Sequence, residues 1–279
     1  MKKNSNPIGV FDSGVGGLTV VKEIMRQIPN ENLVYFGDTA RVPYGNKSTT
    51  TIIKYTRQII RFLDTHDVKA IVVACNTMSA CSLEEVEKEL KVPIIGVVKP
   101  GAKAAVERTK NHKIGVIATQ STINSRMYER FIQCIDPKIS VYGKACPLFV
   151  PLVEEGLWDD SVTYEIASRY LDELQKKDID ALILGCTHYP LLKHTIAKVV
   201  GENINLVNPA YETSRELKHL LEEMDLINEE PLQDHSEQYR FYVSDVEEKF
   251  RSFAETIFAD VNPYVAKNLI TKQVDIERY

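Results

Sequence analysis

No run of this sequence stays apolar for the ~20 residues that a helix needs to cross a bilayer, so helical membrane spans are excluded. A basic excess is missing as well. Its 34 Lys and Arg stand against 39 Asp and Glu, a formal charge of −5, which argues against a nucleic-acid footprint. Cysteine is scarce, with five residues at 75, 81, 134, 146 and 186 and no Cys-x-x-Cys pair. That odd, scattered set disfavours a disulfide scaffold, a zinc ribbon and a thioredoxin-like site, and it fits a reducing compartment. Residues 1–7 carry two lysines but no apolar signal core before a strand-like Ile8, so a cytoplasmic protein is expected. Low-complexity segments and blocks of like charge are lacking too, and no clustered ligands suggest a metal site.

What is present reads as an ordinary globular chain, 44% hydrophobic and 26% charged over 279 residues. Short apolar runs at residues 8–11, 33–36, 71–74, 94–98, 114–118, 140–142, 181–184 and 204–207 read as strands. Between them, residues 18–27, 50–64, 79–90, 102–109, 125–134 and 161–176 repeat apolar positions at three- and four-residue steps, the mark of amphipathic helices. Alternation of this kind predicts an α/β fold with mostly parallel sheets, and ligands at the carboxyl ends of the strands.

A repeat lies inside the alternation. Residues 67–75 (DVKAIVVAC) align position by position with residues 178–186 (DIDALILGC), at an offset of 111. Residues 8–11 echo 114–117, and Pro93-Ile94-Ile95 has a counterpart near Ile204-Asn205-Leu206. The spacing predicts two similar α/β domains facing each other across a cleft. Residues 1–98 form the first and 99–208 the second. Residues 209–279, with a helix near 211–224, a polar stretch at 229–240, a short strand and a helix near 246–258, are expected to pack back on the first domain.

Each half ends a strand in a cysteine, Cys75 before Asn76-Thr77 and Cys186 before Thr187-His188. A strand-to-helix turn faces the ligand crevice, and a helix N-terminus there would lower a thiol pKa from roughly 8.5 toward neutrality. One such cysteine is commonly only a small buried hydrophobe. Two at equivalent points, on halves that face each other, can approach one substrate from opposite sides, removing a proton on one face and returning it on the other. Cys81, Cys134 and Cys146 are expected to serve packing.

The glycine-rich turn Asp12-Ser13-Gly14-Val15-Gly16-Gly17 follows the first strand, where dinucleotide folds cradle a pyrophosphate. Thr19 stands where the third glycine belongs, and Asp12 would repel phosphate while suiting a substrate ammonium group. Backbone N–H groups from Ser13 onward can hold a carboxylate. Asp12 reads also as a helix cap, and Asp38 can be a site acid or a structural one. Tyr44 and Gly45, in a loop after the second strand, either line the crevice or cover the core edge. One of Glu154 and Glu155 can be held partly buried near the cleft; a solvated helix start is the other reading, and it is preferred for Glu155. His188, two residues beyond Cys186, suits a general acid/base or a thiol-polarising partner.

These segments resemble the glutamate racemase family along nearly the whole chain: Asp12 through Thr19, Gly37-Asp38-Thr39, Pro43-Tyr44-Gly45, Cys75-Asn76-Thr77 and Leu184 through Leu192. The resemblance implies two α/β domains around a buried cleft. It implies interconversion of L- and D-glutamate for bacterial peptidoglycan without a cofactor, pyridoxal phosphate included, and commonly a homodimer. It further implies that Cys75 acts on D-glutamate and Cys186 on the L-enantiomer, with Asp12 assisting the first and Glu154 and His188 the second. Asp12, Ser13, Tyr44, Gly45, Asn76, Thr77, Thr187 and His188 would hold the substrate. The segment from Asn208 to Thr213 departs from the Ser/Gly-rich stretch often seen at that place.

An aspartate racemase, or another two-cysteine amino-acid racemase of the same superfamily, is the nearest alternative. Aspartate-type relatives resemble Cys-Thr-Glu where this chain has Cys186-Thr187-His188, which favours glutamate. A thiol redox or metal-binding protein would need a resolving cysteine or clustered ligands. A non-catalytic binding module would tolerate the loss of either thiol, and both are present.

Overall fold

The computed structural model describes residues 3–229, 238–245 and 247–279. Residues 230–237 of the expected polar stretch, Val246 of the expected last helix, and Met1 and Lys2 lie outside the described residues. In chain order the elements are β1 (Ile8–Asp12), α1 (Leu18–Gln27), β2 (Leu33–Gly37), α2 (Thr49–Asp64), β3 (Ala70–Val73), α3 (Asn76–Val86), β4 (Ile94–Gly96) and α4 (Val98–Arg108). Next come β5 (Lys113–Ala118), α5 (Gln120–Ser125), α6 (Met127–Ile135), β6 (Ser140–Ala145), α7 (Phe149–Glu154), α8 (Ser161–Gln175), β7 (Ala181–Gly185), α9 (Lys193–Val200) and β8 (Asn205–Val207). The chain ends with α10 (Pro209–Glu223), β9 (Tyr239–Val243), α11 (Glu247–Phe258), α12 (Pro263–Asn268) and β10 (Thr271–Gln273).

Among the described residues the strands make two sheets, ordered β10-β9-β2-β1-β3-β4 and β6-β5-β7-β8. Every neighbouring pair is parallel. The first sheet draws its strands from residues 8–96 and 239–273, the second from 113–207. β1, β2, β3 and β7 are buried at every position. Helices cover both faces of each sheet, which is why these strands read as unbroken apolar runs.

On one face of the first sheet, Leu18 and Ile24 of α1 pack with Leu217 of α10, Phe250 and Phe258 of α11 and Val265 of α12. On the other, Ile59, Phe62 and Leu63 of α2 meet Met78 and Val86 of α3. The second sheet is held between Phe149, Leu171 and Ile196 of α7, α8 and α9 and, opposite, Ala104, Ala105 and Ile132 of α4 and α6. Side-chain caps fix several helix starts: Ser48 for α2, Thr119 for α5, Asp160 for α8 and Asn208 for α10. The chain passes between the two sheets at Val97 and again at Asn208, and α4 and α10 pack together beside these crossings. The divergent 208–213 segment is the first turn of α10, with Pro209 at a position where a missing N–H costs nothing.

Several expectations need correcting. α3 starts at Asn76 rather than 79, because polar residues that face a cleft carry no apolar period. α4 starts at Val98, so the strand expected at 94–98 stops at Gly96; Pro100 sits in the first helical turn, where proline is tolerated. The helix expected at 125–134 starts at Met127 instead of 125, because Arg126, with φ 53°, separates it from a short helix at 120–125 that was not expected from the sequence. Cys134 is exposed rather than packed, since two residues beyond buried Ile132 is the opposite side of α6. No helix among the described residues is long and apolar enough to cross a membrane.

Candidate active site

The turns after β1, β2 and β3 meet those after β5 and β7. Asp12 ends β1 fully buried; its Oδ2 accepts from the Gly14 N–H at 2.9 Å, while Oδ1 has no hydrogen-bond partner among the described residues. Burial raises this carboxyl above its ordinary value, opposed by the charge of His188 and the N–H groups of Gly14, Gly17 and Ser13. Cys75 follows β3 as the N-cap of α3, its Sγ 3.5 Å from Ser13 Oγ. Here the expected drop toward neutrality is reversed. Burial first, then the Asp12 carboxylate, push the thiol up to about 12, against the Ser13 hydroxyl and the Met78 N–H.

Cys186 follows β7 and lies 3.8 Å from Nδ1 of His188. No α-helix begins at this thiol; a 3₁₀ turn at Tyr189–Leu192 precedes α9. Nε2 of His188 is 3.1 Å from Oε1 of Glu154, the last residue of α7, and Nζ of Lys249 from α11 is 3.3 Å from the second oxygen. Burial works to lower His188, but Cys186 and Glu154 outweigh it and raise the imidazole to about 10. Glu154 in turn is held below the usual carboxylate range, by His188 foremost and by Lys249.

Close contacts join the two sides. Thr77 Oγ1 lies 2.9 Å from Thr119 Oγ1 and 3.3 Å from Thr122 Oγ1, and these two are 3.0 Å apart. Thr19 donates to the Thr187 carbonyl at 2.9 Å. Gly16 sits so near that loop that an added Cβ would fall 2.5 Å from His188 Nδ1, so only glycine fits the closed cleft. Ser121 donates from its N–H and its hydroxyl to the Gly45 carbonyl, at 3.0 and 2.7 Å. Tyr44 is buried and donates to Asp38, which also accepts from Ser244 at 2.9 Å and faces Arg41. Asp38 is therefore a support beneath Tyr44.

The structure thus gathers Asp12, Ser13, Cys75, Asn76, Thr77, Glu154, Cys186, Thr187 and His188, with Tyr44 and Gly45 on the adjoining loop. Glu155 is exposed, on the rim beside Glu154 and Lys249. Thr119, Thr122, Tyr128 and Lys249 were not expected there. The repeat carried a signal for one of them: continuing the match of residues 8–11 with 114–117 sets Thr119 against Ser13. Chemically, the site offers two thiols at the ends of facing strands, each beside an ionisable partner. Around them hydroxyl and amide groups are placed to bind anionic oxygens. Among the described residues no three His, Cys, Asp or Glu side chains are grouped to hold a metal ion.

Residues 8–215 match the family described as Asp/Glu/Hydantoin racemase. The chain is 45% identical over 276 residues to a glutamate racemase of Thermoanaerobacter pseudethanolicus, covering 99% of this chain and 100% of that protein. It is 48% identical over 241 residues to one of Geobacter metallireducens, covering 86% and 87%. A solved glutamate racemase of Francisella tularensis in complex with D-glutamate superposes with a TM-score of 0.88 at 41% identity, covering 99% of this chain and 100% of that one.

Proposed function

The chain belongs to the Asp/Glu/hydantoin racemase family, and on that premise we infer that it interconverts L-glutamate and D-glutamate, an isomerase supplying D-glutamate for peptidoglycan. The observation that carries this reading is the pair of buried thiols, Cys75 and Cys186, closing equivalent strands of two facing sheets. A two-base racemisation without a cofactor needs that arrangement.

The two sides differ in how they store the proton. Cys75, pushed up to about 12 by burial and Asp12, holds its proton at neutral pH. On the other side His188, raised to about 10, is an imidazolium that donates through Nε2 to Glu154 and turns its Nδ1 proton toward the Cys186 sulfur. This state is set to receive L-glutamate. Cys186 takes the α-proton, Cys75 delivers its own from the opposite face, and D-glutamate leaves with the two thiols exchanged in protonation. The reverse reaction runs from the exchanged state. While the α-carbon is planar, negative charge collects on the substrate carboxylate. The Thr77, Thr119 and Thr122 hydroxyls and the Asn76 amide are donors available to it beside the two buried thiols. The unpartnered oxygen of Asp12 suits the substrate ammonium group, and the loop bearing Tyr44 and Gly45 limits the room for the side chain.

A homodimer in the cytoplasm, and a division into one domain of residues 1–98 plus 209–279 and another of 99–208, belong to the same proposal. Sedimentation and limited proteolysis test them. The activity is tested by circular dichroism of purified, reduced protein given L-glutamate, then D-glutamate, with aspartate in parallel. Decay of the glutamate signal to zero from both sides is expected. Decay with aspartate alone would move the assignment to the sister activity.

A further inference from the structure

Tyr128, on α6, reaches from the second sheet's side of the cleft to Asn76 on α3, its hydroxyl 2.6 Å from Asn76 Oδ1. Both side chains are buried. The ring is seated between two glycines: a Cβ on Gly185, the residue before Cys186, would lie 3.2 Å from Tyr128 Cε2, and one on Gly101 of α4 would lie 3.4 Å from Cε1. The phenol is thereby aimed at one atom of a residue adjoining Cys75. Asn76 Nδ2 donates no hydrogen bond to any described residue, and Asn76 borders a narrow gap that Cys186 and Thr187 also line.

An Asn amide presents an acceptor at one end and a donor at the other, and its orientation decides which faces the substrate. A buried phenol must place its proton on an acceptor, and Asn76 Oδ1 is the one it has. Turning the amide over would leave that proton unpaired and set an oxygen against the substrate's carboxylate. Burial, and secondarily the charge of Cys186, raise the Tyr128 hydroxyl above its ordinary value, so it remains a donor throughout the working pH range.

We propose that Tyr128 is a positioning residue for the racemase reaction: by donating to Asn76 Oδ1 it fixes the amide with Nδ2 toward the cleft, as a ready donor to a substrate carboxylate oxygen. The proposal rests on the glutamate racemase reading above. Tyr128 touches no reacting atom; it acts through Asn76.

The test is a double-mutant cycle on kcat/KM for glutamate, with melting temperature followed in each protein. Tyr128→Phe keeps the ring and frees the amide to turn. It is expected to lower kcat/KM roughly tenfold, the lower end of what losing a donor to a charged acceptor costs. Asn76→Ala should lower it at least as much, and Tyr128→Phe placed on Asn76→Ala should add nothing. A purely structural role would instead lower the melting temperature in both backgrounds alike and give multiplying losses, which would overturn the proposal. Asn76→Asp keeps an acceptor for Tyr128 but removes the donor, so it must lose activity even if Tyr128→Phe does not fold; a fully active Asn76→Asp enzyme also overturns it. An active parent matched by its Tyr128→Phe variant removes the role of Tyr128 alone. A parent that leaves the glutamate signal flat removes the racemase reading, and this proposal with it.

Discussion

Nδ1 of His188 stands 3.8 Å from the sulfur of Cys186, and the opposite ring nitrogen is taken by Glu154 at 3.1 Å. The imidazole is thus strung between a thiol and a carboxylate, while Cys75 has the Ser13 hydroxyl and the Met78 N–H to favour its thiolate, against burial and the Asp12 carboxylate. The asymmetry leads to distinct expectations for each side.

Replacing either thiol should stop racemisation. Cys75→Ala and Cys186→Ala are each expected below about a thousandth of the parental rate, since a positioned acid or base contributes 10²–10⁴-fold and here each thiol is both. Enantiomers have equal free energy, so kcat/KM must fall by the same factor in both directions, measured by circular dichroism. Full activity in either variant would refute the two-thiol mechanism.

The alkaline limb of the pH profile belongs to His188. Activity should decline as the imidazolium deprotonates near its value of about 10. Glu154→Gln removes one of the groups that raise His188, so it should move the limb to lower pH, and His188→Asn should erase it while lowering kcat/KM about a hundredfold. Stability follows the same titration. A group raised in the folded state stabilises it fully below its unfolded value, near 6.5, and ceases to do so as pH climbs through about 10. Parental melting temperature should therefore fall across that window, and His188→Asn should be flatter. A limb that stays in place in both variants would place its origin elsewhere.

Asp12 is kept at a cost to the fold. Its carboxyl is raised by burial and one oxygen is unpartnered, so protonation favours the folded state, and stability is lost as pH rises from the ordinary 3.8 through the raised value. Asp12→Asn should accordingly melt higher at neutral pH, by about 2–4 °C for each kcal/mol gained, while kcat/KM drops about a hundredfold. Calorimetry and rate measurements on one preparation decide it; a variant that melts lower contradicts the expectation.

Gly16→Ala should separate the two sides of the cleft. The new methyl would overlap His188 Nδ1 at 2.5 Å, and a displacement of about 1 Å at reacting groups can cost 10²-fold in rate. A loss of that order with a folded, monodisperse protein is expected; unchanged kinetics would mean that the cleft closes another way.

Much of this was legible because parallel strands covered on both faces must be apolar throughout, as at Ile71-Val72-Val73 and Leu182-Ile183-Leu184. The duplication then marked Cys75 and Cys186, and the end of β1 marked Asp12. Lys249 left no trace, since its meeting with Glu154 depends on α11 crossing to the other side of the cleft, a matter of tertiary packing. Tyr128 reads in sequence as one more apolar position of an amphipathic helix, and its hydroxyl gains meaning only from the position of Asn76. The upward push on Cys75 was missed for a physical reason: a helix N-terminus favours thiolate, but complete burial beside a carboxylate outweighs it.

Because β9 pairs with β2, that edge of β2 stays uncovered until residues 239–243 have left the ribosome, whereas all strands of the second sheet lie within 113–207. During synthesis β2 therefore waits with an open edge while the second sheet assembles behind it. Such an edge is a template for wrong pairing. Chaperone demand and aggregation in a nascent chain stalled before residue 239 should centre on residues 33–37, far in sequence from the cysteines that the finished fold protects.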